Sequence, residues 1–266
     1  MFEQIILGAI QGVTEWIPIS SKACVIAAKV HFFGSKDSLN DLISYALLLH
    51  LGTLFAALIY FWKDIAGIFK GLVTPGADGS SRKVLVFLVT TTVLTGLGQV
   101  LINKMDAIAY SMPKAKIAIT AIIAAMLIVA GILQLKARTG GTRAFKDITF
   151  MDGILLGLTQ AFATLPGLSR AGTTMAMLSF RKFDQENTLK LSFLMSMPVI
   201  FVGNIVKNHK ALTAFGPQWI GVLASFIVGI MTISAVMAAA RKVNFGVFLI
   251  AIGSILSVAI LSGALD

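Results

Sequence analysis

The sequence predicts an all-α polytopic membrane protein made of two inverted repeats, each a re-entrant helical hairpin followed by three transmembrane helices. Three observations lead there. First, apolar runs far longer than a barrel strand of roughly 10 residues recur along the chain, in a composition that is 57% hydrophobic and 13% charged. Second, two of these runs are interrupted by polar and helix-breaking residues, and the two interrupted segments match each other. Third, the basic residues lie between the runs and divide unevenly between two sides only when both interrupted segments enter and return.

The elements follow in order. Residues 4–28 are apolar but broken at Pro18, with Gln11 and Glu15 four apart on one helical face and Ser20, Ser21 and Lys22 after the break. Residues 29–43 read as a polar loop. Residues 44–62 read as a spanning helix with Tyr60 and Trp62 as interface aromatics. Residues 63–83 read as a basic loop holding the turn Thr74-Pro75-Gly76. Runs at 84–102 and 117–135 span again, and 136–150 is basic and polar. Residues 153–180 repeat the interrupted character around Pro166-Gly167 and Arg170. A span at 191–206 carries Pro198 as an expected kink, and two last spans within 211–240 and 243–265 flank the turn Arg241-Lys242.

The interrupted segments align at an offset of 149: Ile5 with Ile154, Gly8 with Gly157, Gln11 with Gln160, Ser20 with Ser169, and Glu3 with Asp152. Polar residues match here as well as apolar ones, which points to an internal duplication, with repeat 1 at 1–135 and repeat 2 at 150–266 of a single membrane domain. Apart from Lys22 and Arg170, 20 Lys and Arg remain, and they divide 10 to 10 if both segments cross but 13 to 7 if both are re-entrant. The positive-inside rule selects the second arrangement. Both termini then lie outside, three crossings invert the second repeat relative to the first, and two hairpins dip in from opposite faces.

Composition also excludes. The net charge of +10 is placed between apolar runs, so topology and anionic headgroups account for it and no nucleic-acid partner is expected. One cysteine, Cys24, excludes an internal disulfide and a multi-cysteine metal site. The opening Met1-Phe2-Glu3 has no basic n-region, so no cleaved signal peptide is expected.

The hairpin tips would bring Glu15, Ser20, Ser21 and Lys22 together with Ser169, Arg170, Thr173 and Thr174. Guanidinium, hydroxyls and freed backbone N–H groups suit a phosphate or diphosphate, and Lys22 adds a point charge. Glu15 would repel bare diphosphate, which fits a ligand for a divalent cation or a base activating a hydroxyl or water. The structural alternative is a buried Glu15–Arg170 or Glu15–Lys22 pair that only fixes the hairpins together.

Gln-Gly-Val-Thr-Glu-Trp-Ile-Pro-Ile-Ser-Ser at 11–21 and Pro-Gly-Leu-Ser-Arg-Ala-Gly-Thr-Thr at 166–174 resemble the two signature motifs of the undecaprenyl-diphosphate phosphatase, or bacitracin-resistance, family. The likeness continues in His50-Leu-Gly-Thr-Leu, Tyr60-Phe-Trp-Lys-Asp and Ser192-Phe-Leu-Met-Ser-Met-Pro. It implies hydrolysis of a polyprenyl diphosphate to the monophosphate, recycling a lipid carrier of cell-wall or glycan assembly in the plasma membrane. It also implies a divalent cation (Mg²⁺ or Ca²⁺) and a site opening outward. Carried over by position, Glu15 is metal ligand or base, Ser21 nucleophile or positioning hydroxyl, and Arg170 the diphosphate clamp. Ser20, Lys22, Ser169, Thr173 and Thr174 are further diphosphate-binding candidates. Three places depart from the family pattern: Gln11 stands for a usual glutamate, Lys22-Ala23-Cys24 for a hydroxyl, a small residue and a histidine, and Ala171 for a serine. Gln11 and Cys24 are therefore candidates too, Cys24 as a replacement nucleophile or a small packing residue. His50 reads as a packing or hydrogen-bonding residue. The alternative function is a polyprenyl-phosphate transporter or flippase with lost or reduced hydrolysis. The oligomeric state stays open.

Overall fold

The computed structural model describes residues 1–74, 79–109, 141–164, 168–214, 216–240 and 245–263, with scattered helical positions from 121 to 135. The Thr74-Pro75-Gly76 turn beyond Thr74, the Pro166-Gly167 break and the Arg241-Lys242 turn lie outside the described residues, as does most of the expected span at 117–135. Among the described residues the secondary structure is helical apart from one isolated bridge between Arg143 and Phe183.

The helices are α1 (Phe2–Thr14), α2 (Ser21–His31), α3 (Leu39–Tyr60), α4 (Trp62–Val73), α5 (Ser80–Ala109), α6 (Phe150–Phe162), α7 (Arg170–Phe180), α8 (Gln185–Thr213), α9 (Gln218–Ala240) and α10 (Phe245–Leu261). α3, α5, α8 and α9 are long and apolar enough to cross a bilayer. The protein is a multi-pass membrane protein. α1, α2, α6 and α7 have 13, 11, 13 and 11 residues. At 1.5 Å per residue each reaches about 20 Å or less, short of a hydrocarbon core of about 30 Å. They pair instead, α1 with α2 and α6 with α7.

Each pair is closed at its base by an acid on the first arm and a base at the end of the second. Glu3 meets Lys29 at 3.3 Å, and Lys29 also holds Asp37 at 2.9 Å. Asp152, with no exposed surface, accepts from Arg181 Nε at 2.6 Å and from both Arg143 Nη atoms at 3.1 and 2.5 Å. Asp152 also completes a capping box with Thr149 at the start of α6.

Each first arm then packs on a distant span, α1 on α9 and α6 on α5. Glycine permits the approach: a Cβ on Gly8 would stand 2.2 Å from the Gly221 carbonyl oxygen, and one on Gly52 of α3 2.3 Å from that of Val222. Trp16, just past α1, donates its indole N–H to the Gly229 carbonyl at 2.9 Å and meets the Phe193 ring edge-on at 5.0 Å. This ties the first hairpin to both α9 and α8.

Two expectations are corrected. Residues 63–83 are not all loop, because α4 occupies Trp62–Val73. Its apolar residues Ile65, Ile68, Phe69 and Leu72 recur at helical spacing, a pattern masked by the interleaved lysines. Pro198 does not mark the kink in α8. The backbone stays helical there and departs at Asn208, whose side-chain amide donates to the Ser44 carbonyl at 3.0 Å.

The packing gives a test with opposite signs. Gly8→Ala pushes α1 off α9 and should destabilise by about 1–3 kcal/mol, as overpacked cores do. Gly67→Ala, in α4 where a Cβ meets nothing within 4 Å, should stabilise by up to about 1 kcal/mol through helix propensity. Thermal unfolding in detergent reads both, and equal shifts would contradict the packing.

Candidate active site

The chain breaks after α1 and before α7 put two turns face to face. Glu15 is the C-cap of α1 and Arg170 the first residue of α7, and they form an ion pair across 155 positions of sequence. Pro18 and Gly172 touch beside it: a Cβ on Gly172 would stand 3.2 Å from that of Pro18. The two interrupted segments therefore meet tip to tip.

Glu15 is 3% exposed, and its two oxygens have separate partners. Oε1 takes Arg170 Nη2. Oε2 accepts from Ser21 Oγ at 2.8 Å and from Gln11 Nε2 at 2.8 Å, and His50 Nε2 lies 3.2 Å away. His50 Nε2 is also 3.4 Å from Ser21 Oγ. His50 Nδ1 lies 2.6 Å from the Ala46 carbonyl. A carbonyl only accepts, so Nδ1 carries a proton and Nε2 faces Glu15 and Ser21. A carboxylate, a hydroxyl and an imidazole thus sit in mutual contact, the grouping that general-base activation of a hydroxyl requires.

These groups open onto a cavity of about 320 Å³, whose wall includes Glu15, Ser20, Ser21, Lys22, His50 and Arg170. Among the described residues Glu15 is the one carboxylate on that wall. Arg170 Nη1 is buried there without a hydrogen-bond partner among the described residues, so the guanidinium has donors left for an anion. Lys22 and Arg170 both stand in the first turn of a helix, and neither α2 nor α7 has an acidic residue there. That is the unfavourable sign for the helix dipole, and a bound anion would reverse it, drawing on both cations and both helix N-termini.

Not every candidate reaches the cavity. Ser169 caps α7, accepting from Gly172 N at 3.0 Å. Thr173 Oγ1 bonds to the carbonyls of Ser169 and Arg170, each at 3.0 Å. Thr174 Oγ1 bonds to the Arg170 carbonyl at 2.8 Å and to Ser192 Oγ at 2.6 Å. Gln11 supports Glu15 from behind, and half-buried Cys24 is not on the wall. Ser169, Thr173 and Thr174 shape the start of α7, and none of the five lines the space.

Sequence reasoning undervalued His50. Its signal is the spacing Ile43, Leu47, His50, one face of α3, and all three line the cavity. It also passed over Thr92, Thr95 and Gln99, a polar stripe within the apolar run of α5, and as wall residues Gln160 of α6 and Thr164 just past it. Gln160 Nε2 donates to Thr95 Oγ1 at 3.0 Å.

Glu15 alone could give a carboxylate to a metal ion, and among the described residues no three His, Cys, Asp or Glu side chains cluster. This donor set fits a hard cation carried chiefly by a ligand's phosphate oxygens and water, with one carboxylate from the protein.

Comparison with known proteins gives consistent results. The family model described as bacitracin resistance protein BacA matches residues 4–256. A protein named undecaprenyl-diphosphatase from Methanococcoides burtonii is 38% identical over 260 residues, covering 94% of this chain and 95% of that protein. Proteins of the same name from Methanothrix thermoacetophila and Thermodesulfovibrio yellowstonii are 30% and 32% identical, covering 95% and 94% of this chain and 94% and 92% of theirs.

The Glu15–Arg170 contact predicts a coupled stability effect. Arg170→Met strands a buried carboxylate and should cost about 3–5 kcal/mol. Adding Glu15→Gln to it should recover much of that loss. Thermal unfolding of the two single and the double variants measures the coupling, and additive effects would contradict it.

Proposed function

The chain belongs to the bacitracin resistance protein BacA family, and on that premise we propose that it hydrolyses a polyprenyl diphosphate of the undecaprenyl type to the monophosphate and phosphate. The carrying observation is Glu15 bonded at once to Arg170 and to Ser21, beside His50, at the wall of a cavity with apolar and cationic sides. Such a cavity suits an amphiphile whose head is a polyanion.

Ser21 is the nucleophile. Its proton passes to Glu15, already 2.8 Å away, while Oγ bonds to the terminal phosphorus and the bridging P–O bond breaks. Polyprenyl monophosphate leaves, and water then cleaves the phosphoseryl ester. Arg170 offers Nη1 to the phosphate oxygens and, through Nη2, keeps Glu15 aligned. Ser20 and Lys22 complete the anion site, and Ser169, Thr173 and Thr174 hold the turn that aims Arg170. His50 takes the proton from Glu15 or shares it. A Mg²⁺ or Ca²⁺ ion held by Glu15 and the diphosphate would neutralise phosphate charge and polarise the phosphorus.

The site opens outward in this reading. The cavity reaches Ile43 at the start of α3, Gln99 and Val100 on α5, and Val206 and Lys207 on α8. Charge counting assigns those ends to the outer side. The ion pairs agree with that assignment, because Glu3, Lys29 and Asp37 fall outside together, while Asp64 and Lys190, at 2.7 Å, fall inside together. Two inverted repeats with re-entrant hairpins follow from the same topology, and the tip-to-tip contact supports them.

Phosphate release from undecaprenyl diphosphate by the purified protein is the decisive measurement. Ser21→Ala should lower kcat on the order of a thousandfold or more, as loss of a nucleophile does. Wild-type release no greater than that of the variant would overturn the reading. Chelation with EDTA should suppress release, and added Mg²⁺ or Ca²⁺ should restore it. Release unaffected by EDTA would remove the cation from the scheme.

A further inference from the structure

Among the described residues the cavity wall carries three cations, Lys22, Arg170 and Lys207, against the single carboxylate of Glu15. Arg170 is matched to Glu15. Lys22 and Lys207 are left, and among the described residues neither ammonium has a hydrogen bond or an ion pair. Two other lysines have acids: Lys29 has Glu3 and Asp37, and Lys190 has Asp64. Lys22 and Lys207 instead line the same cavity wall. Lys22 is half-buried and Lys207 exposed at the cavity's rim, and an anion held between two like charges on one wall would offset their repulsion.

The helix that carries Lys207 is fastened to α3 on both sides of that residue. Asn204 Nδ2 donates to the Leu47 carbonyl and Asn208 Nδ2 to the Ser44 carbonyl, each at 3.0 Å, and Asn208 also donates to Asn204 Oδ1 at 2.9 Å. This buried ladder fastens α8 to the cavity side of α3, and α8 leaves helical geometry at Asn208, one residue past Lys207.

We propose that Lys22 and Lys207 form a second anion subsite, on the mouth side of Arg170, which takes a tetrahedral phosphate group. That group is the second phosphoryl of a diphosphate lipid head or a free inorganic phosphate. The lipid source rests on the function proposed above, whereas the subsite itself does not. One hairpin contributes Lys22 and a span of the other half contributes Lys207, so the subsite exists only in the folded chain. Lys22 stands where the family motif usually has a hydroxyl, so this subsite distinguishes the chain from that pattern.

The test is isothermal titration of the full-length protein in detergent with inorganic pyrophosphate, inorganic phosphate and farnesyl diphosphate. Lys22→Gln and Lys207→Gln should each weaken pyrophosphate binding about tenfold, the loss of one charge-assisted hydrogen bond. Lys207→Arg should retain most of the affinity, and the double glutamine variant should flatten the salt dependence. Weakening of all three ligands identifies a subsite for any phosphate. Weakening of farnesyl diphosphate and pyrophosphate alone identifies a reader of the second phosphoryl. Unchanged pyrophosphate affinity in Lys207→Gln overturns the proposal, as does an effect confined to binding of phosphatidylglycerol vesicles, which would make Lys207 a membrane-surface lysine. Thermal unfolding of Lys207→Gln should match the wild type, so that lost affinity is not lost folding. Phosphate release is assayed separately, so a protein that binds through both lysines but releases no phosphate would refute the phosphatase reading alone.

Discussion

A buried carboxylate facing a buried guanidinium, Glu15 against Arg170, is the contact on which the rest of the architecture depends. In a region this apolar neither charge is stable alone, and the pair is worth its desolvation only with the remaining lone pairs and protons satisfied. Gln11 and Ser21 occupy Glu15 Oε2, and the Ser169 cap with the Thr173 and Thr174 back-bonds holds the turn that presents Arg170. The base pairs Glu3–Lys29 and Asp152–Arg181 close the two hairpins at their far ends. Trp16 on Gly229 and Gly8 on Gly221 then fix the first hairpin to α9. These contacts serve to bring two short, broken helices to one point.

That contact is both structural and chemical, and the two readings are not rivals. An ion pair that only locked the hairpins would not need Ser21 and His50 on the same carboxylate, nor leave Arg170 Nη1 without a partner beside a cavity. The two cations in the first turns of α2 and α7 weaken those helices while the cavity is empty and strengthen them with an anion present. Part of the energy for ligand binding is thereby stored in the placement of Lys22 and Arg170.

Much of this was legible in the chain. The interruption at Pro18, the matching polar residues at an offset of 149, and the need of Glu15 for a cationic partner, Arg170 or Lys22, are written in residue types whose physics is local: proline ends a helix, and a charge in an apolar run needs a partner. α4 was hidden because charge density reads as loop where the amphipathic spacing says helix. His50 was undervalued because a lone histidine in a spanning helix looks the same whether it faces lipid, core or cavity. Thr173 and Thr174 were overvalued for the converse reason. A hydroxyl in a helix near a charge can turn to a ligand or bond back to its own carbonyls, and here both bond back.

The sequence by itself determined the class of protein, the helix break at Pro18 and the charged residues set within apolar segments, because hydropathy and helix breaking act residue by residue. Only the tertiary structure decided which hydroxyl faces Glu15, that an imidazole from α3 stands beside it, and that Lys207 reaches the wall of the same cavity. Those depend on the rotation of each helix about its axis. That rotation is set by close approaches between distant segments, Gly8 on Gly221, Gly52 on Val222 and Asn208 on Ser44, and it leaves no trace in local sequence.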